Sequence, residues 1–189
     1  MDTPVAPPYG LELRDERLKL RPWQDRDANE LHQAVQESVD SVGKWLPWCR
    51  EHYSRADATS WTRLSQATWR MGEQFAFAIC DAPTGLLLGG AGLNRRDPQH
   101  RSANLGYWIR QSRQGFGFAA AAGALVAQFG FERLGLIRVE LIIQPENRAS
   151  RRTAEKMGAR FEGIARQRLW IGSRATDAAV YAVIPQDPR

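Results

Sequence analysis

The hydrophobic positions of the chain switch repeatedly between the two-residue period of strands and the longer period of helices. Residues 17–23 alternate polar and apolar side chains, as a half-buried strand does, and Pro22 ends that strand. From Asp27 onwards, apolar residues recur at helical spacing. This spacing predicts a helix whose buried positions are Ala28, Leu31, Val35 and Val39.

A second helix is predicted over residues 55–72, with Trp61, Leu64 and Thr68 on its buried face and Gly72 at its end. A third helix, from about Phe116 to Gly130, is expected to bury Phe118, Ala122, Leu125 and Phe129, and a fourth covers residues 147–158. Strand patterns separate these helices. They occupy residues 75–80, 85–94, 103–111 and 137–144, with two more strands around Gly172 and Ser173.

The order of these elements is strand, two helices, three strands, helix, strand, helix and two strands. Helices inserted between strands indicate a mixed sheet covered by helices, of the α/β or α+β class. The segment from residues 103–111 through the third helix to 137–144 is a βαβ unit, so its two strands should be parallel. Since no repeat or second domain is visible, we expect one domain over residues 11–187 behind a flexible tail at residues 1–10.

Two glycines, Gly115 and Gly117, stand between a predicted strand and a predicted helix, and alanines follow from Ala119. The first amides of a helix have no intrahelical partner, and glycine lets an anion approach them closely. Such a loop can hold a pyrophosphate through peptide dipoles alone. A glycine turn before a tightly packed helix explains the same residues equally well, because the pattern is neither a Walker loop nor G-x-G-x-x-G.

Asn147 stands at the start of the next predicted helix, with Ser150 three residues further on. The Asn147 side chain can accept a hydrogen bond from the Ser150 amide, which is an ordinary helix cap. Ser150 shares a helix face with Ala154 and Met157, so its hydroxyl points towards the core or towards a ligand lodged there. Taken alone, the spacing favours the cap.

Composition narrows the function classes without choosing among them. A net charge of +5 over 189 residues favours anionic partners, but the basic residues are dispersed, which argues against a nucleic-acid surface. Two cysteines and three scattered histidines give neither a disulfide framework nor a metal site, so we expect no metal. The chain shows neither a secretion signal nor an apolar run near the roughly 20 residues that span a bilayer, which predicts a soluble cytoplasmic protein without membrane contact.

Five sequence blocks, taken in order, resemble the GNAT acyltransferase superfamily, and in particular its branch of ribosomal-protein N-terminal (alanine) acetyltransferases. The blocks are RLKLRPW, SVGKWLPW, NLGYWI, QGFGFAAAA, and the run from Arg138 to Gly163 with its Asn-x-x-Ser and Gly-x-x-x-E-G patterns. The resemblance covers about Leu13 to Pro185. It implies the GNAT fold, with about seven strands, about four helices, and a parallel fourth and fifth strand that splay apart.

The resemblance also implies direct transfer of an acetyl group from acetyl-CoA to an amine. The pantetheine arm would lie along the backbone of the fourth strand, and Asn147 and Ser150 would lie near the thioester. In this sequence the backbone positions are Trp108, Ile109 and Arg110, and the pyrophosphate loop is Gln114, Gly115, Phe116, Gly117, Phe118 and Ala119. The candidates for the adenosine phosphates are Arg113, Arg151 and Arg152. Because the reaction needs no covalent enzyme intermediate, Cys49 and Cys80 are interpreted as small apolar fillers.

Two departures from the superfamily bear on the chemistry. Ala154 stands where many members have a tyrosine that acts as general acid, and Asn104 stands where many have a glutamate that acts as general base. Ser150 is then the candidate proton donor, whereas Asn104 can hold a water or the amine but cannot take a proton. Glu140 is a candidate base, although it can also form a structural ion pair with Arg138.

The acceptor is the least specified part of the site. Trp45 and Trp48 stand in the connection between the first two helices, which lines the acceptor cleft in this family, and Tyr107 is a further candidate for that lining. Two indoles can enclose a short extended peptide end, or they can cap the core. The acceptor is expected to be a protein N-terminus; a small amine, or a non-catalytic acyl-CoA-binding protein, stays open. By analogy, the branch also admits a homodimer.

Overall fold

The computed structural model describes residues 7–185, within which the chain forms eight strands and four α-helices. The strands are β1 (Leu13–Arg14), β2 (Leu18–Pro22), β3 (Phe75–Asp81), β4 (Leu87–Asp97), β5 (Ser102–Ile109), β6 (Arg138–Ile143), β7 (Arg160–Ile171) and β8 (Arg174–Val183). The helices are α1 (Ala28–Gln36), α2 (Arg55–Arg70), α3 (Phe118–Leu134) and α4 (Arg148–Lys156).

These strands form one sheet in the order β1-β2-β3-β4-β5-β6-β8-β7. Neighbouring strands are antiparallel except β5 and β6, which run parallel and are connected by α3. This arrangement confirms the mixed sheet and the βαβ unit. The expected seven strands become eight because β1, which pairs Leu13 with Leu20 and Arg14 with Lys19, is too short to show a period in the sequence.

Helices on both faces of the sheet enclose two hydrophobic clusters. One cluster lies under α3 and α4 and includes Phe77, Val126 and Leu141. The other lies under α1 and the first half of α2 and includes Trp23 and Ala58. Because successive side chains of a strand point to opposite faces, β3 and β4 contribute buried side chains to both clusters, for example Phe77 to the first and Ala78 to the second.

The buried face of α2 differs from the predicted one. Trp61 and Leu64 are 37% and 54% exposed, whereas the buried residues are Ala58, Thr62, Ser65, Thr68 and Trp69. The Thr62 and Thr68 hydroxyls donate back to the carbonyls of Thr59 (2.9 Å) and Leu64 (3.0 Å). Their burial is therefore inexpensive, since a hydroxyl that bonds its own helix does not need water.

Other boundaries also shift. Helix α1 ends at Gln36, so Val39 lies in the turns that follow it, and in α3 the side chains of Phe118 and Leu125 are only half-buried. Residues 1–6 of the expected tail, and residues 186–187 of the expected domain, lie outside the described residues. The remainder of the tail is not loose, because the Tyr9 ring meets Trp69 edge-on at 5.9 Å and the Pro7 carbonyl accepts from the Trp69 indole at 2.9 Å.

Trp69 joins α2 to the larger cluster and gives a direct test of the corrected helix face. Its ring, 1% exposed, lies 5.0 Å from the rings of both Phe75 and Phe77. We expect Trp69→Ala to lower the free energy of unfolding by about 3–5 kcal/mol. Trp61→Ala, on the exposed side of the same helix, should change it by less than about 1 kcal/mol. Chemical denaturation of both variants measures this, and equal losses would contradict the assigned face.

Candidate active site

Strands β5 and β6 are paired over only three residues, and this short pairing opens a fork in the sheet. The last paired residues are Asn104 and Glu140, after which β5 continues to Ile109 and β6 to Ile143. Beyond the pair, the edges of the two strands face each other without a ladder between them. The fork therefore offers backbone donors and acceptors in the middle of a sheet, where a ligand can pair with them.

The alternation of peptide groups decides which β5 residues face the fork. The Arg110 amide donates to the Leu88 carbonyl of β4 (2.7 Å), and the Arg110 carbonyl accepts from the Arg113 amide (2.9 Å). Since alternate residues direct their peptide groups to opposite neighbours, Trp108 also bonds β4, and Tyr107 and Ile109 face the fork. The peptide groups of Trp108 and Arg110 are thus already used within the protein, whereas those of Tyr107 and Ile109 are directed into the fork.

The glycine loop after β5 takes the predicted form of a helix N-terminus. Gly115 and Gly117 have φ angles of +87° and +82°, which side chains other than glycine rarely adopt, and Gly117 precedes the first residue of α3. The first helical hydrogen bond is donated by Ala121 to Gly117 (3.2 Å), so the amides of residues 118–120 have no helical partner. The loop is exposed, and an anion can reach these amides from solvent.

The end of α1 and the turns after it fasten this loop, although no sequence signal indicated it. Glu37 accepts hydrogen bonds from the Arg110 guanidinium (2.9 and 2.6 Å) and from the Ser112 hydroxyl (2.8 Å). The Ser38 hydroxyl accepts from the Gln111 amide at 3.0 Å. Hydrogen bonds from Arg110 lower the pKa of the Glu37 carboxyl to about 2, so the contact is ionised at neutral pH.

The Gln114 side chain holds the loop from within. Its Nε2 donates to the Ile109 carbonyl at 2.9 Å and to the Ser41 hydroxyl at 3.1 Å. The Ile109 carbonyl is consequently shared with the loop. Gln114 therefore contributes its side chain to the shape of the loop, in addition to the backbone role expected for it.

Asn147, Ser150 and Tyr107 meet on the α4 side of the fork. The Asn147 side chain caps α4 by accepting from the Ser150 amide (3.0 Å), as the spacing suggested. The Tyr107 hydroxyl lies 3.0 Å from both the carbonyl oxygen and the hydroxyl of Ser150. Tyr107 therefore lies on the opposite face of the sheet from the expected acceptor wall. Burial raises the pKa of its phenol to about 12, so the phenol stays protonated and can donate.

The tryptophans lie on the other side of the fork. Trp48, 36% exposed, meets Trp108 edge-on at 5.4 Å, and the Trp45 carbonyl accepts from the Gln144 amide group at 3.1 Å. Since Gln144 directly follows β6 and Trp108 belongs to β5, the connection between α1 and α2 spans both arms of the fork. Trp45 and Trp48 thus lie beside the fork, with Trp108 as a third indole next to them.

The two residues proposed for amine chemistry lie at the base of the fork. The Asn104 Nδ2 donates to the Asn94 Oδ1 (3.0 Å), while its own Oδ1 is buried and has no partner among the described residues. Glu140 pairs with Arg138 (2.9 Å), which also pairs with Glu162 (2.5 Å). This geometry favours the ion-pair alternative for Glu140 over the base.

Comparison with known proteins agrees with this architecture. A family model described as an acetyltransferase (GNAT) domain matches residues 17–160. The chain belongs to the GNAT acetyltransferase family. It is accordingly an N-acetyltransferase with acetyl-CoA as its acetyl donor, and the resemblance seen in the sequence is confirmed.

Individual relatives of this GNAT enzyme act, by their names, on ribosomal proteins. YdaF of Bacillus subtilis (strain 168), provisionally named a ribosomal N-acetyltransferase, is 29% identical over 178 residues, which cover 92% of this chain and 94% of YdaF. The ribosomal-protein-serine acetyltransferase of Escherichia coli (strain K12) is 23% identical over 169 residues, or 89% and 93% of the two chains. RimJ of Mycobacterium smegmatis, solved with a CoA disulfide, has a TM-score of 0.82 at 26% identity over 94% of this chain and 89% of RimJ.

The arginines expected at the adenosine phosphates differ in their surroundings. Arg151 donates to the Tyr181 hydroxyl (3.0 Å) and lies 5.6 Å from the Phe161 ring, so it holds α4 on the sheet. Arg113 and Arg152 are exposed beside the loop and on α4. Both cysteines are buried and form no disulfide. Within residues 7–185 no helix could span a membrane and no cluster of three metal-ligating side chains occurs.

Gly117 allows a test of the loop that separates charge from shape. Glu and Gln at this position impose the same left-handed strain and nearly the same volume, but only Glu brings a negative charge to the amides of α3. We expect Gly117→Gln to weaken CoA binding and Gly117→Glu to weaken it by at least about tenfold more, because like charges repel strongly at close range. Calorimetry with CoA measures both. Equal affinities would show that no phosphate lies at this turn.

Proposed function

We propose that this GNAT enzyme acetylates the α-amine at the N-terminus of a protein or peptide; the names of two of its relatives, which mention ribosomal proteins or the ribosome, support a protein acceptor. The observation that carries the proposal is that the end of the fork where β5 and β6 part offers no available general base. Asn104 cannot accept a proton, and the Glu140 carboxylate is occupied by Arg138 at 2.9 Å. A site without an available strong base favours an acceptor amine that is already neutral near pH 7.5.

The acidity of amines separates the candidate acceptors. An α-amine has a pKa of about 7.7–8.0 and is roughly one-third neutral at pH 7.5, whereas a lysine-like amine with a pKa of about 10.4 is neutral in roughly one molecule per thousand. Polyamines and lysine side chains would therefore need a base that the fork does not supply. The α-amine needs only a water to carry its proton away, and the orphaned Asn104 Oδ1 can hold that water or the amine itself.

The three indoles suit a peptide end. Trp48 and Trp108 stand edge-to-face at 5.4 Å, and Trp45 lies in the same segment across the fork. Rigid aromatic side chains give a large contact area at little entropic cost, which favours a short extended chain. Protein synthesis and acetyl-CoA supply meet in the cytoplasm, so we place the reaction there.

The remaining chemistry falls to Tyr107, Ser150 and the backbone. The bound coenzyme supplies a thioester whose carbonyl the amine attacks. Backbone amides of β5 that face the fork, such as that of Ile109, can donate to the oxyanion. Ser150 can donate its hydroxyl proton to the departing sulfur while the Tyr107 phenol, 3.0 Å away, passes its own proton to the Ser150 oxygen. The proton that leaves the acceptor amine replaces that of the phenol through water, so neither residue is left charged at the end of the cycle.

Two substitutions test this proton pair. Ser150→Ala should lower kcat by about a hundredfold, the lower range for general-acid catalysis, with little change in the KM for acetyl-CoA. Tyr107→Phe removes one supporting hydrogen bond of about 1 kcal/mol and should lower kcat by roughly five- to tenfold. Ser173→Ala, in the exposed β7–β8 turn, is the control. Steady-state rates of thiol release measure all three, and an unchanged kcat in Ser150→Ala would contradict the assignment.

An acceptor panel tests the proposed function. Thiol release from acetyl-CoA is measured with peptides that carry free N-termini, the same peptides with blocked N-termini and an internal lysine, polyamines and aminoglycosides. We expect turnover with the free N-termini alone, and a rate that rises with pH along the titration of the acceptor α-amine near pH 8.

The pH profile makes this test specific. Peptides whose α-amine pKa differs should shift the rising limb of kcat/KM by the same amount, because no enzyme base titrates in its place. Turnover confined to small amines would overturn the proposed acceptor. A limb that stays fixed when the acceptor pKa changes would show an enzyme base.

A further inference from the structure

Arg17 lies against the glycine loop that precedes α3, here called the coenzyme loop (residues 114–117). It is 99 residues away in sequence from Phe116 of that loop. It immediately precedes β2, and its Nη1 donates to the Phe116 carbonyl at 3.1 Å. The guanidinium carbon lies 5.4 Å from the centre of the Phe118 ring. Its Nη2 lies 3.9 Å from the point that a Cβ on Gly117 would occupy. One hydrogen bond and one ring contact thus place the arginine head at the start of α3.

This arginine has no carboxylate partner among the described residues. The nearby Asp15 is used otherwise, because its Oδ1 accepts from the backbone amides of Arg17 (2.8 Å) and Leu18 (2.6 Å). By contrast, Arg110, on the other side of the loop, pairs with Glu37 at 2.6 Å. The loop therefore has one arginine that is neutralised and one whose charge stays uncompensated beside the open amides.

We propose that Arg17 binds the diphosphate of the coenzyme, together with the first amides of α3. Those amides are neutral donors, and a diphosphate brings negative charge that dipoles alone offset only in part. A guanidinium adds charge-assisted hydrogen bonds in a fork that matches phosphate oxygens. The contact with the Phe116 carbonyl uses one N–H and leaves other donors of the same head available.

The inference rests on the use of acetyl-CoA and is independent of the acceptor. Its test therefore measures binding in the absence of any amine. Three compounds are titrated by calorimetry: CoA, 3′-dephospho-CoA, and pantetheine, which lacks phosphate altogether. The variant is Arg17→Met, which retains an unbranched chain against Phe118 but loses the charge and the donors. Arg14→Met is the matched control, an exposed arginine of β1 that pairs with Glu12 at 2.6 Å.

Arg17→Met should weaken CoA and 3′-dephospho-CoA by the same factor of about ten or more, as expected for a hydrogen bond between charged groups. Pantetheine binding should change by less than about twofold, and Arg14→Met should change none of the three. The penalty should shrink as salt is raised, because the contact is ionic and exposed. Arg17→Lys, which retains the charge without the fork, should fall between Arg17→Met and the wild type.

Each other result overturns the proposal in a distinct way. An equal loss for pantetheine would mean that Arg17 only holds the loop in shape. A loss for CoA that is absent for 3′-dephospho-CoA would assign Arg17 to the 3′-phosphate instead. Unchanged binding of all three compounds would exclude a role in coenzyme recognition. A thermal melt of each variant confirms that the folded protein is compared throughout.

Discussion

The parting of β5 and β6 after Asn104 and Glu140 is the constraint on which the rest of the site depends. A sheet normally satisfies its backbone groups through neighbouring strands, so an internal gap is costly unless something fills it. Here side chains bridge the gap at a distance. Tyr107 on β5 reaches Ser150 on α4, and Gln144 after β6 reaches the carbonyl of Trp45. These contacts tie each arm to a neighbouring element and leave the outward-facing peptide groups of Tyr107 and the amide of Ile109 directed into the fork.

The glycine loop that precedes α3 is held in place by side chains from other parts of the chain. Two glycines with positive φ make the backbone accessible, but they also enlarge the conformational freedom that binding must remove. Glu37, Ser38 and Ser41 bond the loop from one side, and Arg17 bonds it from another. The amides of α3 are thereby presented in one arrangement before the coenzyme arrives. Preorganisation is supplied by residues that no loop motif contains.

Local features of the fold could be predicted from the sequence where a period or a cap defined them. The β3 and β6 patterns, the glycines before α3 and the Asn147 cap all appear at the expected positions. The buried face of α2 could not be predicted in the same way, because Thr62 is buried, with its hydroxyl donating to the Thr59 carbonyl, while Trp61 is exposed. Hydroxyls that bond their own helix are compatible with a core, and a scale that counts only apolar residues misses them.

Parts of the site required three-dimensional information. Tyr107 and Trp108 are adjacent on one strand and must face opposite sides of the sheet, so both could not line one wall. The alternation of side chains along a strand shows from the sequence that Tyr107 and Trp108 lie on opposite faces. It does not show which face lines the acceptor cleft. The Glu37–Arg110 pair joins residues 73 apart and has no local signature. Pairings of this kind are set by topology, which brings the end of α1 beside the end of β5.

The net charge of +5 bears on ligand binding only through the positions of the individual charges and their partners. Much of the positive charge near the site is neutralised: Arg21 pairs with Asp27, Arg110 with Glu37, and Arg138 with both Glu140 and Glu162. Where β5 and β6 part, these paired residues therefore supply neither an available general base nor an unpaired cation. Arg17, beside the glycine loop that precedes α3, has no such partner within residues 7–185. The charge of Arg17 therefore favours the anionic end of acetyl-CoA at the loop, whereas at the fork one arginine, Arg138, faces two carboxylates, so no uncompensated cation there repels an acceptor amine.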